Sequence, residues 1–307
     1  MNIRISLYED FDVFARALIA SNDCDPVYPF IRSTLKHFSF EPEWFCFAYT
    51  TFYSLESAMK FCKNFPERKD YNMGRFFDLR QRGVISKMGY ERRGNQRTMV
   101  NQNTMFQSFN IAIDTEALKW NTNQCFRQSL RENIPFHGAW ATFKVAEVFE
   151  KVLLIKTLKV LDLGLDGRDP NSNDGPCGGI TWLYGKDNEY DKTIFPHWNR
   201  FGENLAKGWG VDIGECETAL CKFNKLVSGK YYVGHDIDEH NELKNEWGKN
   251  TFLKIMSENF DERFWKGVHG VRKEFKTRYK NCNVIINDDF AGKYRKLDVL
   301  QTILNTD

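Results

Sequence analysis

The sequence predicts a mainly α protein, on three observations. Its dominant hydrophobic period is helical, its strand-like runs are few and short, and neither run is followed by a hairpin turn. Residues 41–62, EPEWFCFAYTTFYSLESAMKFC, open with Glu41 and Pro42, as the first turn of a helix does, and continue as one long apolar-rich run. Residues 115–133 read as a second helix, with Asp114 as its N-cap and an end before Pro135. Residues 140–154 place Ala141, Val145, Val148, Phe149 and Val152 on one face, with Lys144, Glu147 and Lys151 on the other. Residues 197–210 form a weaker helix, interrupted by glycines. Residues 215–229 set Ala219, Leu220, Phe223, Leu226 and Val227 along one side and stop at Gly229.

The two strand-like runs are TLKVLDLGL (157–165) and CNVIIN (282–287). The longest irregular stretch is 164–179, GLDGRDPNSNDGPCGG, and a loop of that length in a compact domain is functional or disordered. The expected architecture is a single helical array with long functional loops over 1–245. A more charged helical extension, 246–307, is expected to pack on it.

Composition limits the partners. The chain has 307 residues, 42% of them hydrophobic, enough for one large domain or two modest ones. Its formal net charge of +2 excludes a histone-like polycation, so a grip on nucleic acid needs a local basic patch. Two clusters qualify, and each reads equally well as a solvated face: Arg75, Arg80, Arg82, Lys87, Arg92, Arg93 and Arg97, and the group from Lys266 to Lys280. Aromatic residues make up 15%, so some rings beyond the core are available to stack on bases.

The eight cysteines form no C-x-x-C pair and no zinc-finger spacing, which suits reduced thiols in a cytoplasmic protein. Val152–Leu165 is too short and too charged to span a membrane, so no membrane partner is expected. A P-loop, a G-x-S-x-G elbow, a complete zinc-deaminase signature and a clear helix–hairpin–helix hairpin are all missing from the sequence.

Four short stretches carry candidate chemistry. DGPCGG (174–179) precedes a short helix, where the backbone N–H groups near Gly178 and Gly179 could face a phosphate or simply make a turn. HGAWATFK (137–144) carries Trp140 and Lys144, and reads otherwise as a helix start with a buried Trp and an exposed Lys. ETALCK (217–222) carries Glu217 and Lys222, and reads otherwise as solvated helix surface. YYVGHDIDEH (231–240) gathers His235, Asp236 and Asp238 behind Tyr232. The histidine suits a general base or acid, and the aspartates suit Mg²⁺ or the orienting of that histidine. The same atoms also fit a helix cap, with Glu239 three residues after Asp236.

Taken together, ordered segments of the chain resemble the bacteriophage amino acid:DNA transferases, the α-glutamyl/putrescinyl thymine pyrophosphorylases. The segments are 42–61, the basic GYERRGNQR (89–97), 137–149, 161–185, and ETALCKFNKLVSGKYYVGHDIDE (217–239), so the resemblance spans about residues 40–240. The resemblance implies a helical fold distantly like the DNA glycosylases. It implies an enzyme of the infected bacterial cytoplasm that works after a separate hydroxymethyluracil DNA kinase. That enzyme displaces pyrophosphate from 5-pyrophosphoryloxymethyluracil in DNA with an amino acid or polyamine, giving a hypermodified thymine.

Within that reading, Arg92, Arg93, Arg97 or Lys144 meets the leaving pyrophosphate, with Mg²⁺ as the one cofactor the Asp236/Asp238 pair could hold. His235, Asp236 or Glu217 takes the amine proton, Lys222 meets a donor carboxylate, and Trp140 holds a flipped base. Two alternatives stand beside it: a glycosylase-like enzyme that excises modified bases, and a non-catalytic phage DNA-binding protein.

Overall fold

A computed structural model describes residues 11–12, 14–16, 18–19, 24–25, 27–85, 98–165, 175–184, 195–227, 231 and 236. Among them all the regular structure is helical and no strand occurs, so the chain is mainly α. The run 157–165, read as a strand, instead begins inside a short 3₁₀ turn at Lys156–Leu158 and continues irregularly. Its Leu158, Val160, Leu163 and Leu165 are buried, which accounts for the apolar run without sheet pairing. CNVIIN and the whole of 246–307 lie outside the described residues.

The chain divides into two compact units. One comprises residues 27–160. The other joins residues 1–26 to 161–307.

The 27–160 unit contains α1 (Val27–His37), α2 (Pro42–Phe52), α3 (Leu55–Asn64), α4 (Met73–Gln81), α5 (Met99–Asp114), α6 (Asn123–Asn133) and α7 (Ala139–Leu153). The long run expected over 41–62 is two helices. Tyr53 takes a left-handed conformation (φ 50°) that ends α2, and the Ser54 hydroxyl accepts from the Ser57 N–H to start α3. That break folds α3 back on α2 and lets both bury aromatic faces. Phe47 stacks on Phe109 at 4.0 Å, Phe61 stacks on Phe106 at 4.3 Å, and the buried Trp44 donates its indole N–H to the Phe65 carbonyl at 3.0 Å.

The helix expected over 115–133 is also corrected. Asp114 is the last residue of α5, not an N-cap, and its carboxylate accepts from Arg68 Nη1 at 2.8 Å. The chain turns through Glu116 (φ 54°), and the next helix begins only after Thr122, whose hydroxyl accepts from the Cys125 N–H. α7 matches its expected span to within a residue, but its charged face is not solvated, because Lys144 and Glu147 are both buried.

The other unit contains α8 (Gly175–Tyr184), α9 (Phe195–Trp209) and α10 (Ile213–Val227). α10 starts at a reciprocal cap: Glu215 N–H donates to Asp212, and Asp212 N–H donates back to the Glu215 carboxylate, both at 3.0 Å. The N-terminal residues complete this core. Phe11 and Phe14 lie on Phe223 at 5.1 and 5.8 Å, and Trp209 donates to Asp12 at 2.6 Å. Phe11 and Phe14 thus share one hydrophobic interior with α10.

Candidate active site

Three charged residues nominated from sequence, Lys144, Glu217 and Lys222, are buried at 5–7% exposure. The solvated-surface reading of each is overturned. A charge taken out of water must be paired, protonated differently or used, so each burial demands an account.

α10 carries two of them. Lys222 makes an ion pair with Asp236 at 2.7 Å, and its ammonium lies 5.3 Å from the centre of the buried Tyr231 ring. The lysine side chain is 7% exposed and the aspartate 29%. This contact joins ETALCK to YYVGHDIDEH in space. One turn earlier on the same face, the buried Thr218 hydroxyl donates to Asp25 at 3.0 Å across 193 residues of sequence. Glu217 is buried beside Thr218 on the same helix.

A third motif arrives at the same helix. Gly178 and Gly179 lie inside α8 and are buried, so the helix begins within the stretch expected to be a loop. A Cβ on Gly179 would fall 2.2 Å from the Leu220 carbonyl oxygen of α10. Glycine at this position therefore sets how closely the two helices approach, a packing role that the sequence alone did not separate from phosphate binding. On α9 a Cβ at Gly202 would instead meet, at 2.7 Å, the side chain of Leu163, a residue outside any helix.

Lys144 sits in the 27–160 unit, in a closed triangle. It donates to Glu147 on the same helix and to the Tyr28 hydroxyl at 3.0 Å, while that hydroxyl donates to Glu147 at 2.7 Å. The side chains of Lys144 and Glu147 are 9% and 2% exposed. Trp140, a turn earlier on α7, is half-buried with its ring edge-on to Tyr53 at 5.1 Å. His137, at the start of the same motif, is buried and stacks on Phe47 at 5.6 Å.

His235, Asp238, Tyr232, Arg92, Arg93 and Arg97 lie outside the described residues. Within the basic cluster that includes those arginines, Arg80 is buried and donates to the Ile85 carbonyl, so it is core rather than patch, and burial holds its guanidinium below the usual value. Among the described residues no cluster of metal-ligating side chains occurs. Of the pair proposed for Mg²⁺, Asp236 has its Oδ2 2.7 Å from the Lys222 ammonium, and Asp238 lies outside the described residues.

Asp25 and Thr218 were missed from sequence. Asp25 bears no local motif and Thr218 lies unremarked inside ETALCK, and only the fold brings them together. No helix among the described residues is long and apolar enough to cross a membrane. Comparison with family models, with curated proteins and with solved structures gives no match.

Proposed function

We propose that this chain is an amine transferase acting on DNA, which replaces the pyrophosphate of 5-pyrophosphoryloxymethyluracil with an amino acid or polyamine. The observation that carries the reading is the Lys222–Asp236 ion pair. It ties together two motifs that were nominated separately, while Gly179 of a third packs on the same helix. A helical array of the DNA-glycosylase kind, action after a separate kinase, and work in the cytoplasm of an infected bacterium belong to the same proposal.

The reaction is assigned to the α10 unit. The donor nitrogen gives up a proton, and its lone pair forms a C–N bond to the 5-methylene carbon. The C–O bond breaks, and its electron pair leaves on pyrophosphate. His235 is the proposed proton acceptor, with Asp236 beside it in sequence fixed by Lys222. Lys222 supplies positive charge where anionic donor or leaving groups gather, and its burial makes that charge worth more than in water. Lys144 is assigned a structural role, because its partner Glu147 is only 2% exposed, against 29% for Asp236 beside Lys222.

The test is to incubate the chain with DNA carrying the pyrophosphorylated base and a panel of amino acids and polyamines, then weigh the nucleosides. A mass gain of one amine with release of pyrophosphate is expected. Abasic sites would instead indicate base excision, and unchanged nucleosides with every donor would leave only a binding protein.

A further inference from the structure

We propose that Tyr231 is the positioning residue for Lys222: its ring face, together with the Asp236 carboxylate, fixes where the ammonium charge sits. The inference rests on the amine-transfer reading and names a residue on which the central charge of that reading depends.

Three observations lead to it. The Lys222 ammonium lies over the Tyr231 ring, 5.3 Å from its centre, inside the roughly 6 Å range over which a ring quadrupole attracts a cation. Tyr231 is 2% exposed, so water does not compete for that attraction, whereas the Asp236 side chain is 29% exposed and its pull is partly screened. The ring also has a fixed backing. Phe14 meets it edge-on at 6.1 Å and 87°, and Phe14 in turn lies 5.8 Å from Phe223, the residue after Lys222 on α10.

A lysine ammonium rides on a flexible four-carbon stem, and a preorganised charge needs that freedom removed. Asp236 alone leaves the ammonium able to follow a carboxylate toward solvent. The ring removes that freedom, because it is held in the core and attracts the charge without neutralising it. Tyr231 and Asp236 stand five residues apart, so one short stretch of sequence supplies both contacts. Tyr231 acts through Lys222, not on the substrate.

The experiment uses the full chain with DNA bearing 5-pyrophosphoryloxymethyluracil and an amino acid donor, and measures pyrophosphate release. Tyr231→Phe is compared with its mono-, di- and trifluorinated forms, which draw electron density from the ring face in steps while hardly changing its size. The value of kcat/KM is expected to fall step by step, to roughly a tenth across the series, with melting unchanged. A fall carried by the donor KM places Lys222 at the donor carboxylate, and one carried by kcat places it at the leaving pyrophosphate.

Equal kcat/KM across the fluorinated series, with Tyr231→Phe active, overturns the assignment, makes the ring core packing only and leaves the transfer reading standing. If Tyr231→Phe is inactive or fails to melt cooperatively, a ring-fluorinated tyrosine against tyrosine decides, below the pH at which either hydroxyl ionises. Equal rates there overturn it too. Wild type that transfers from no donor removes both.

Discussion

Two lysines in this molecule are equally buried and differently held. Lys144 is held by Glu147, one turn away on the same helix, and by Tyr28, and all three groups are shut off from solvent. Lys222 is held by Asp236, which comes from a separate stretch of sequence and keeps 29% of its side chain exposed. The first arrangement is local and closed. Its polar atoms answer one another, and a ligand has no free approach to the carboxylate. The second is assembled by the fold and opens on one side. Burial alone therefore does not separate the two lysines; what separates them is that the partner of Lys222 is reachable from solvent, which is why the proposed site is placed there.

Glu147→Ala gives the largest expected effect on that comparison. It strands the Lys144 ammonium in the core of its unit and should cost about 3–5 kcal/mol of stability in urea unfolding. A loss under 1 kcal/mol would show that water reaches the triangle. Gly179→Ala comes next. The added methyl meets the Leu220 carbonyl, so α8 must move off α10, at a cost of about 1–3 kcal/mol. Melting and transfer activity should fall together, and wild-type melting would mean the helices yield easily.

Asp236→Asn should cost less stability than Glu147→Ala, about 1–2 kcal/mol, because the asparagine keeps an acceptor oxygen for Lys222 and the position is partly exposed, while transfer activity falls at least tenfold. A large stability loss with activity kept would make this pair a second structural clamp.

Thiols come last, as a pH effect rather than a lost contact. Burial holds Cys46 and Cys62 well above the ordinary value of 9.0, and burial, with Asp212 and Glu215 adding, pushes the Cys216 thiol up to about 12. Exposed Cys125 should react with a thiol reagent first, and these three only on unfolding. Between pH 9 and 12 the unfolded chain sheds the Cys216 proton and the folded chain keeps it, so stability should fall as pH rises through that window. A flat unfolding free energy from pH 8 to 10.5 would contradict this.

Helices were legible in the sequence where one face is apolar, as in α7 and α10, because the 3.6-residue period survives any packing partner. Their breaks were harder. Tyr53 and Glu116 take positive φ without being glycine, so neither announces a turn, and Asp114 looks like a cap while serving as a partner for Arg68. At the site, residue type and spacing nominated Glu217, Lys222 and Asp236. They did not show that the first two are buried, since charged residues on a helix are ordinarily solvated. Asp25 and Thr218 were invisible for a different reason: their bond closes 193 residues of chain, and no local pattern encodes it.

The most direct measurement compares wild type, Lys222→Met and the paired Lys144→Met/Glu147→Leu variant in one transfer assay on DNA bearing 5-pyrophosphoryloxymethyluracil. The predicted result is an amine adduct and released pyrophosphate from wild type and from the paired variant, with loss of at least a hundredfold in Lys222→Met. Wild type without adduct, or Lys222→Met as active as wild type while the paired variant is folded and inactive, would contradict the account.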